Sequence, residues 1–180
     1  MIDSMKEVTM EKINIFKRDV HYFKLPLEDC NEISEWVYKA KNTWKRDLNN
    51  VKALTSGFNP DCKFIKRLNE IYARDVLPKI ENASWESTWS WINFYSRGNY
   101  TLPHQHRPED YSSIITIKRG NNHHKLCWHN DDHKEIYNND NLEETGMCLI
   151  FSSDLNHSVR IVDDDRITIS LDFIRKKNEL

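Results

Sequence analysis

No CxxC pair, no long apolar segment and no excess of either charge occurs in this 180-residue chain, and each absence closes off a class of function. Its four cysteines, Cys30, Cys62, Cys127 and Cys148, are scattered, and that spacing argues against a zinc site built from thiolates. Only four glycines and five prolines are present, with no internal repeat, low-complexity segment or linker that would divide the chain. The opening residues, MIDSMKEVTMEKINIFKRD, hold no apolar core. Neither a secretion signal nor a membrane span is therefore expected, and reduced thiols in the cytoplasm are the expectation. Lysine and arginine number 26 against 28 acidic residues, for a formal net charge of −2. That balance provides no broad basic surface and argues against nucleic acid as a partner.

What is present describes a globular chain, 38% hydrophobic and 30% charged, long enough to bury a core. A single domain over 1–180 is expected, with residues 1–82 mostly a helical flank and 83–176 the core. INIFKRDVHYFKLPL has strand-like spacing and reads as one outer strand leading in. From Glu28, the stripe Ile33, Trp36, Val37, Ala40, Trp44 and Leu48 predicts a first helix of about five turns, closed by Asn49-Asn50. Gly57, Asn59 and Pro60 make a break. Phe64, Ile65, Leu68, Ile71, Tyr72 and Val76 then mark one face of a second helix, near whose end Pro78 falls. After Asn82 the period changes to two, in SWESTWSWINFY, YSSIITIKRG, HHKLCW, KEIY, GMCLIFSS, NHSVRIV and RITISLDFIR. Helices followed by about eight strands, without βαβ alternation, predict an α+β fold: an antiparallel jelly roll, or double-stranded β-helix, with two N-terminal flanking helices.

The chemistry concentrates in WINFYSRGNYTLPHQHRPEDY, residues 91–111. His104 and His106 are two apart, so on extended chain they face the same way and can reach one ion. His157 follows the strand-like run GMCLIFSS and is the third candidate. Three imidazoles, or two and a carboxylate, suit a borderline divalent transition metal. A second histidine group, His123, His124, His129 and His133, lies in the polar stretch HHKLCWHNDDH and reads as solvated surface.

Asn93-x-Tyr95-x-x-Gly98, five residues, then His104-x-His106 resembles the first metal strand of the iron(II)- and 2-oxoglutarate-dependent oxygenases. Gly146-MCLIFSSDLN-His157 is similar to the strand that brings their distal histidine, and Arg166 follows nine residues later in RITIS. The wording is closer still to a phage and bacterial branch of that superfamily with a His-x-His motif. The resemblance covers roughly residues 85–175. It implies iron(II) held by His104 and His157, and 2-oxoglutarate as co-substrate. Arg166 would grip the far carboxylate of 2-oxoglutarate, Thr168 or Ser170 would add a hydroxyl, and Asn93 and Tyr95 would contact it from the opposite wall. Read without the family, Tyr95 is a core residue and Arg166 an ion-pair partner of the Asp163–Asp165 run.

One departure stands out. Where the alkylation-repair members carry aspartate, this chain has His106. His106 is expected to ligate directly, with Asp110 the alternative carboxylate ligand and Glu109 behind it. The implied activity is hydroxylation of a small molecule or protein side chain, with release of succinate and carbon dioxide. A second arginine six residues after Arg166, which the demethylases of nucleic acid carry, is replaced by Asp172. Two rival readings remain. One is a three-histidine cupin-type dioxygenase that needs no 2-oxoglutarate, although it leaves Arg166 and the helices without a role. The other is a non-enzymatic jelly-roll binding protein.

Overall fold

The computed structural model describes residues 9–46, 50–121, 125–132 and 134–177. In chain order the elements are β1 (Glu11–Ile15), β2 (Arg18–Lys24), α1 (Leu27–Ala40), β3 (Lys45–Arg46), β4 (Leu54–Thr55) and α2 (Lys63–Ile71). A π-turn (Tyr72–Val76) joins α2 to α3 (Leu77–Ile80). Then come β5 (Trp85–Tyr95), β6 (Thr101–His104), β7 (Tyr111–Lys118), β8 (Leu126–His129), β9 (Ile136–Tyr137), β10 (Met147–Ser152), β11 (Asn156–Val159) and β12 (Arg166–Arg175). The larger sheet has the order β1-β2-β10-β7-β12-β5-β4-β3, and the smaller has β6-β11-β8-β9, with antiparallel pairing throughout. The strands from β5 to β12 form the expected double-stranded β-helix.

Side chains alternate across a strand, so β10, β7 and β5, central strands of the larger sheet, serve two cores. Ile167, Ile169, Leu171 and Phe173 of β12 join Ile92 and Phe94 of β5 and Ile115 and Ile117 of β7 against the helices, through Ile33, Val37, Phe64, Leu68 and Tyr72. Each such aliphatic or aromatic side chain contributes roughly 1.5–3 kcal/mol by leaving water. The opposite face packs a second cluster between the sheets, including Tyr95, Ile114, Leu126, Trp128, Leu149 and Phe151. On that inner face β12 carries a polar row, Arg166, Thr168, Ser170 and Asp172, all buried. Buried polar groups are expensive without partners, so this row marks where the fold serves something other than stability.

Three expectations are corrected. INIFKRDVHYFK is a hairpin, not one strand: Phe16 and Lys17 turn with φ of 48° and 64°, and the Asn14 side chain accepts from the Lys17 amide at 3.1 Å. β2 also pairs with β10, so the N-terminal flank extends the larger sheet. The first helix ends at Ala40, because the Thr43 hydroxyl takes the Ala40 carbonyl at 2.9 Å and the chain becomes extended at Trp44. Trp44 still packs on Trp36, with ring centroids 6.3 Å apart. Finally, His129 is buried, with Nε2 2.8 Å from the Ser158 hydroxyl, so it is not solvated. His123, His124 and His133 lie outside the described residues.

Candidate active site

β6 and β11 are neighbours in the smaller sheet, in a register that sets His104 directly opposite His157. His106 lies two residues beyond the end of β6, where its backbone N–H donates to the Ser153 carbonyl at 2.9 Å and ties the turn to the segment following β10. The three rings converge, with centroids 4.4 Å apart for His104–His157 and 5.0 Å for each of the other two pairs. One ligand atom from each lies within 4.8 Å of the others, and no other such group of three occurs among the described residues. Trp91 covers His106, while Trp128 and Phe151 wall His157.

The hydrogen bonds set the tautomers. His104 Nδ1 lies 2.9 Å from the Leu102 carbonyl, and His157 Nδ1 3.0 Å from the Leu155 carbonyl. A carbonyl only accepts, so both Nδ1 atoms carry the proton and both Nε2 atoms present lone pairs. His106 Nδ1 faces Asp172 Oδ1 at 2.8 Å, which leaves its Nε2 toward His104 Nε2 at 3.0 Å. Two nitrogen lone pairs at that separation require an electron-pair acceptor between them, either a proton or a metal cation. Burial, helped by the neighbouring His106, lowers the His104 pKa to about 4. Burial, together with His104 and His106, holds His157 well below the ordinary histidine range. Both rings are therefore neutral donors near pH 7. An imidazole whose Nδ1–H is held by a carbonyl or carboxylate is the usual form of a metal ligand.

An inner pocket opens beside these rings, lined by Asn93, Tyr95, Arg166, Thr168 and Ser170 together with the three histidines. Arg166 is 1% exposed, and its Nη1 donates to Glu143 Oε2 at 3.0 Å. Glu143 Oε1 accepts the Leu126 amide at 2.9 Å. Burial raises the Glu143 carboxyl, while the Arg166 guanidinium opposes the shift. The Nε and Nη2 of Arg166, and Oδ1 of Asn93, are buried without a partner. Unmet N–H donors on a buried guanidinium are costly, and a carboxylate laid along that edge would satisfy two at once. Tyr95 keeps its hydroxyl 2.8 Å from that of Thr101, at the pocket wall. The donor set thus suits a divalent transition metal next to an oxyanion.

The expected residues His104, His106, His157, Asn93, Tyr95, Arg166, Thr168 and Ser170 all meet at this place. Asp110 does not. Its Oδ2 accepts the Arg175 amide at 2.8 Å, which turns the carboxylate away from the histidines. Glu109 lines the outer cleft and not the inner pocket. Arg166 ignores the Asp163–Asp165 run, whose members pair with Lys125, the Asn121 amide and Tyr38. Sequence reasoning missed Glu143 and the part played by Asp172. Period two along β12 places Asp172 on the face of Arg166, Thr168 and Ser170, which is a readable signal. Glu143 sits in a short 3₁₀ turn with no period to reveal it. Outside the histidines, a cleft of about 440 Å³ runs past Phe58, Trp89 and Trp91, with Phe58 68% and Trp89 46% exposed.

No family model and no curated protein matches the chain. Solved structures do match. A Pseudomonas putida prolyl-4-hydroxylase aligns over 98% of this chain and 97% of its own at 11% identity, with a TM-score of 0.65. The viral collagen prolyl hydroxylase of Paramecium Bursaria Chlorella virus-1, solved as its 2OG complex, aligns over 93% and 96% at 13% identity, with a TM-score of 0.60. A 2OG-Fe(II) oxygenase family oxidoreductase from Burkholderia pseudomallei aligns over 97% and 77% at 12% identity, with a TM-score of 0.53. The fold is therefore that of the 2OG-Fe(II) oxygenases. No helix among the described residues is long and apolar enough to cross a membrane.

Proposed function

We propose that the chain is an iron(II)- and 2-oxoglutarate-dependent oxygenase that hydroxylates a C–H bond of a small molecule or peptide side chain. One observation carries this reading: the unpartnered edge of Arg166 lines the same buried pocket as three imidazoles whose Nδ1 atoms are already committed. His104, His106 and His157 would hold the metal through Nε2. Arg166 would take the distal carboxylate of 2-oxoglutarate on Nε and Nη2, a two-pronged contact that lysine makes less well. Glu143 holds the third nitrogen, so the guanidinium cannot rotate away from the pocket. Asn93, Tyr95, Thr168 and Ser170 supply polar contacts along the walls.

When bound, iron(II) with 2-oxoglutarate supplies the oxidising power, coupling decarboxylation to reduction of dioxygen and yielding succinate and carbon dioxide. The protein supplies placement. Val51, Ile114 and Val159 give the inner pocket apolar walls, and a low-polarity wall strengthens ionic contacts inside it. The outer cleft, with Phe58, Trp89 and Trp91, opens onto His104 and His106 and would give a substrate its route to a metal held there. The prolyl hydroxylases among the structural neighbours support a peptide or a small molecule as the substrate class.

Anaerobic titration of iron(II) with and without 2-oxoglutarate tests the reading. A weak visible charge-transfer band is expected only with both present, and it disappears in His104→Ala and His157→Ala. Succinate formation in air should follow the same pattern. Metal binding without the band would favour a three-histidine dioxygenase that uses no co-substrate.

A further inference from the structure

We propose that Asp172 is a positioning residue that makes His106 a metal ligand and stores, behind the imidazole, the negative charge that a coordinating carboxylate would supply. The inference rests on the metal-site reading above. Asp172 lies on the inner face of β12, only 3% exposed. Its Oδ1 accepts from His106 Nδ1 at 2.8 Å and from the Ser112 hydroxyl at 2.7 Å. The Ser112 hydroxyl in turn lies 2.9 Å from that of Ser153, whose carbonyl receives the His106 amide at 2.9 Å. The contacts close a ring, His106–Asp172–Ser112–Ser153–His106, joining the ligand loop to β7, β12 and the turn after β10. The ring fixes the imidazole's position and its tautomer together.

Charge argues the same way. Among the described residues no lysine or arginine pairs with Asp172; its one partner able to carry positive charge is His106. A buried carboxylate without a positive partner is costly, and a cation on His106 Nε2, felt through the ring, relieves that cost. His104 and His157 make the contrast, since their Nδ1 atoms donate to neutral backbone carbonyls. Only His106 is backed by a full charge. A dication, three neutral imidazoles and Asp172 sum to one positive charge, the same as a dication with two imidazoles and a coordinating carboxylate. The histidine at 106 and the aspartate at 172 are therefore one functional unit, with the carboxylate set one ring behind the metal.

The test is an anaerobic cobalt(II) titration of the full chain without 2-oxoglutarate, following the ligand-field bands, with melting of the metal-free protein beside it. Asp172→Asn keeps the shape and removes the charge. It should weaken cobalt binding about 10–100-fold and shift the ligand-field bands, with the metal-free protein still melting in one cooperative transition. Cobalt affinity within about threefold of wild type overturns the proposal, as does weakened binding with the ligand-field bands of the bound form unshifted, which marks a structural role. His104→Ala separates the two inferences: unchanged cobalt binding there defeats the metal site itself, and this proposal with it. A wild-type measurement decides independently of how the variant folds. In the zinc(II) form, ¹⁵N-resolved spectra should show one histidine Nδ1–H shifted well downfield of the other two. Three alike would refute the carboxylate-backed ligand.

Discussion

Arg166 and Glu143 form the most buried ion pair among the described residues, each side chain 1% exposed. A buried charge survives only if it is matched, so removing one partner costs far more than removing both. Arg166→Met should lower stability by about 3–5 kcal/mol because Glu143 is left alone. Arg166→Met with Glu143→Leu should recover much of that loss, and urea denaturation of the four proteins in the cycle measures the coupling. The cycle also separates the two roles of Arg166. The double variant is expected to fold and bind metal yet fail to bind 2-oxoglutarate, because the edge formed by Nε and Nη2 has gone. Arg166 is marked in the sequence only by the resemblance to the oxygenase strand, while His104 and His106 announce themselves by type and spacing. Glu143 does not, because its value lies in meeting Arg166 across 23 positions of chain.

At the scale of elements, the start of β10 is held by Gly146. Its φ is +90°, its N–H donates to the Thr116 carbonyl at 2.7 Å, and its carbonyl receives the Leu25 amide at 2.8 Å. A Cβ here would stand 2.7 Å from the Leu25 carbonyl oxygen. Gly146→Ala should therefore destabilise the protein by about 2–3 kcal/mol, from a disfavoured backbone conformation plus a contact with rigid main chain. The expected signature is a lower urea midpoint at unchanged slope. Other element boundaries were hidden for comparable reasons. The hairpin at Phe16-Lys17 lacks the Asn-Gly or Asp-Gly that usually marks such a turn. The end of α1 depends on one hydroxyl, that of Thr43, capturing a carbonyl. His129 looks polar within its stretch, yet the pairing of β8 with β11 buries it.

Across the whole molecule, the histidines are carried by the smaller sheet and the loop after β6, while Asp172 and Arg166 belong to the larger one. A metal bound through His106 thus links both sheets, and binding to the folded state alone stabilises it by mass action. Cobalt(II) at one hundred times its dissociation constant should add about 2.7 kcal/mol. For a chain of this size that is a rise of roughly 5–10 °C in melting temperature. A chelator should reverse the rise, and His157→Ala should show none, as differential scanning calorimetry can check.

The family resemblance singled out the roles of His157 and Arg166, while residue type and period were enough for the alternation of buried faces, the helices against an antiparallel jelly roll, and the shared direction of His104 and His106. These depend on neighbours two to four positions apart, which a linear chain displays directly. The place of the carboxylate beside His106 was decided only by tertiary structure. Asp110 is closer to His106 in sequence than Asp172 is, but its carboxylate is spent on the Arg175 amide. Asp172, 66 positions away, reaches His106 because β12 crosses behind the ligand loop with its polar row turned inward. Long-range strand pairing, which no local pattern encodes, put the carboxylate behind the imidazole.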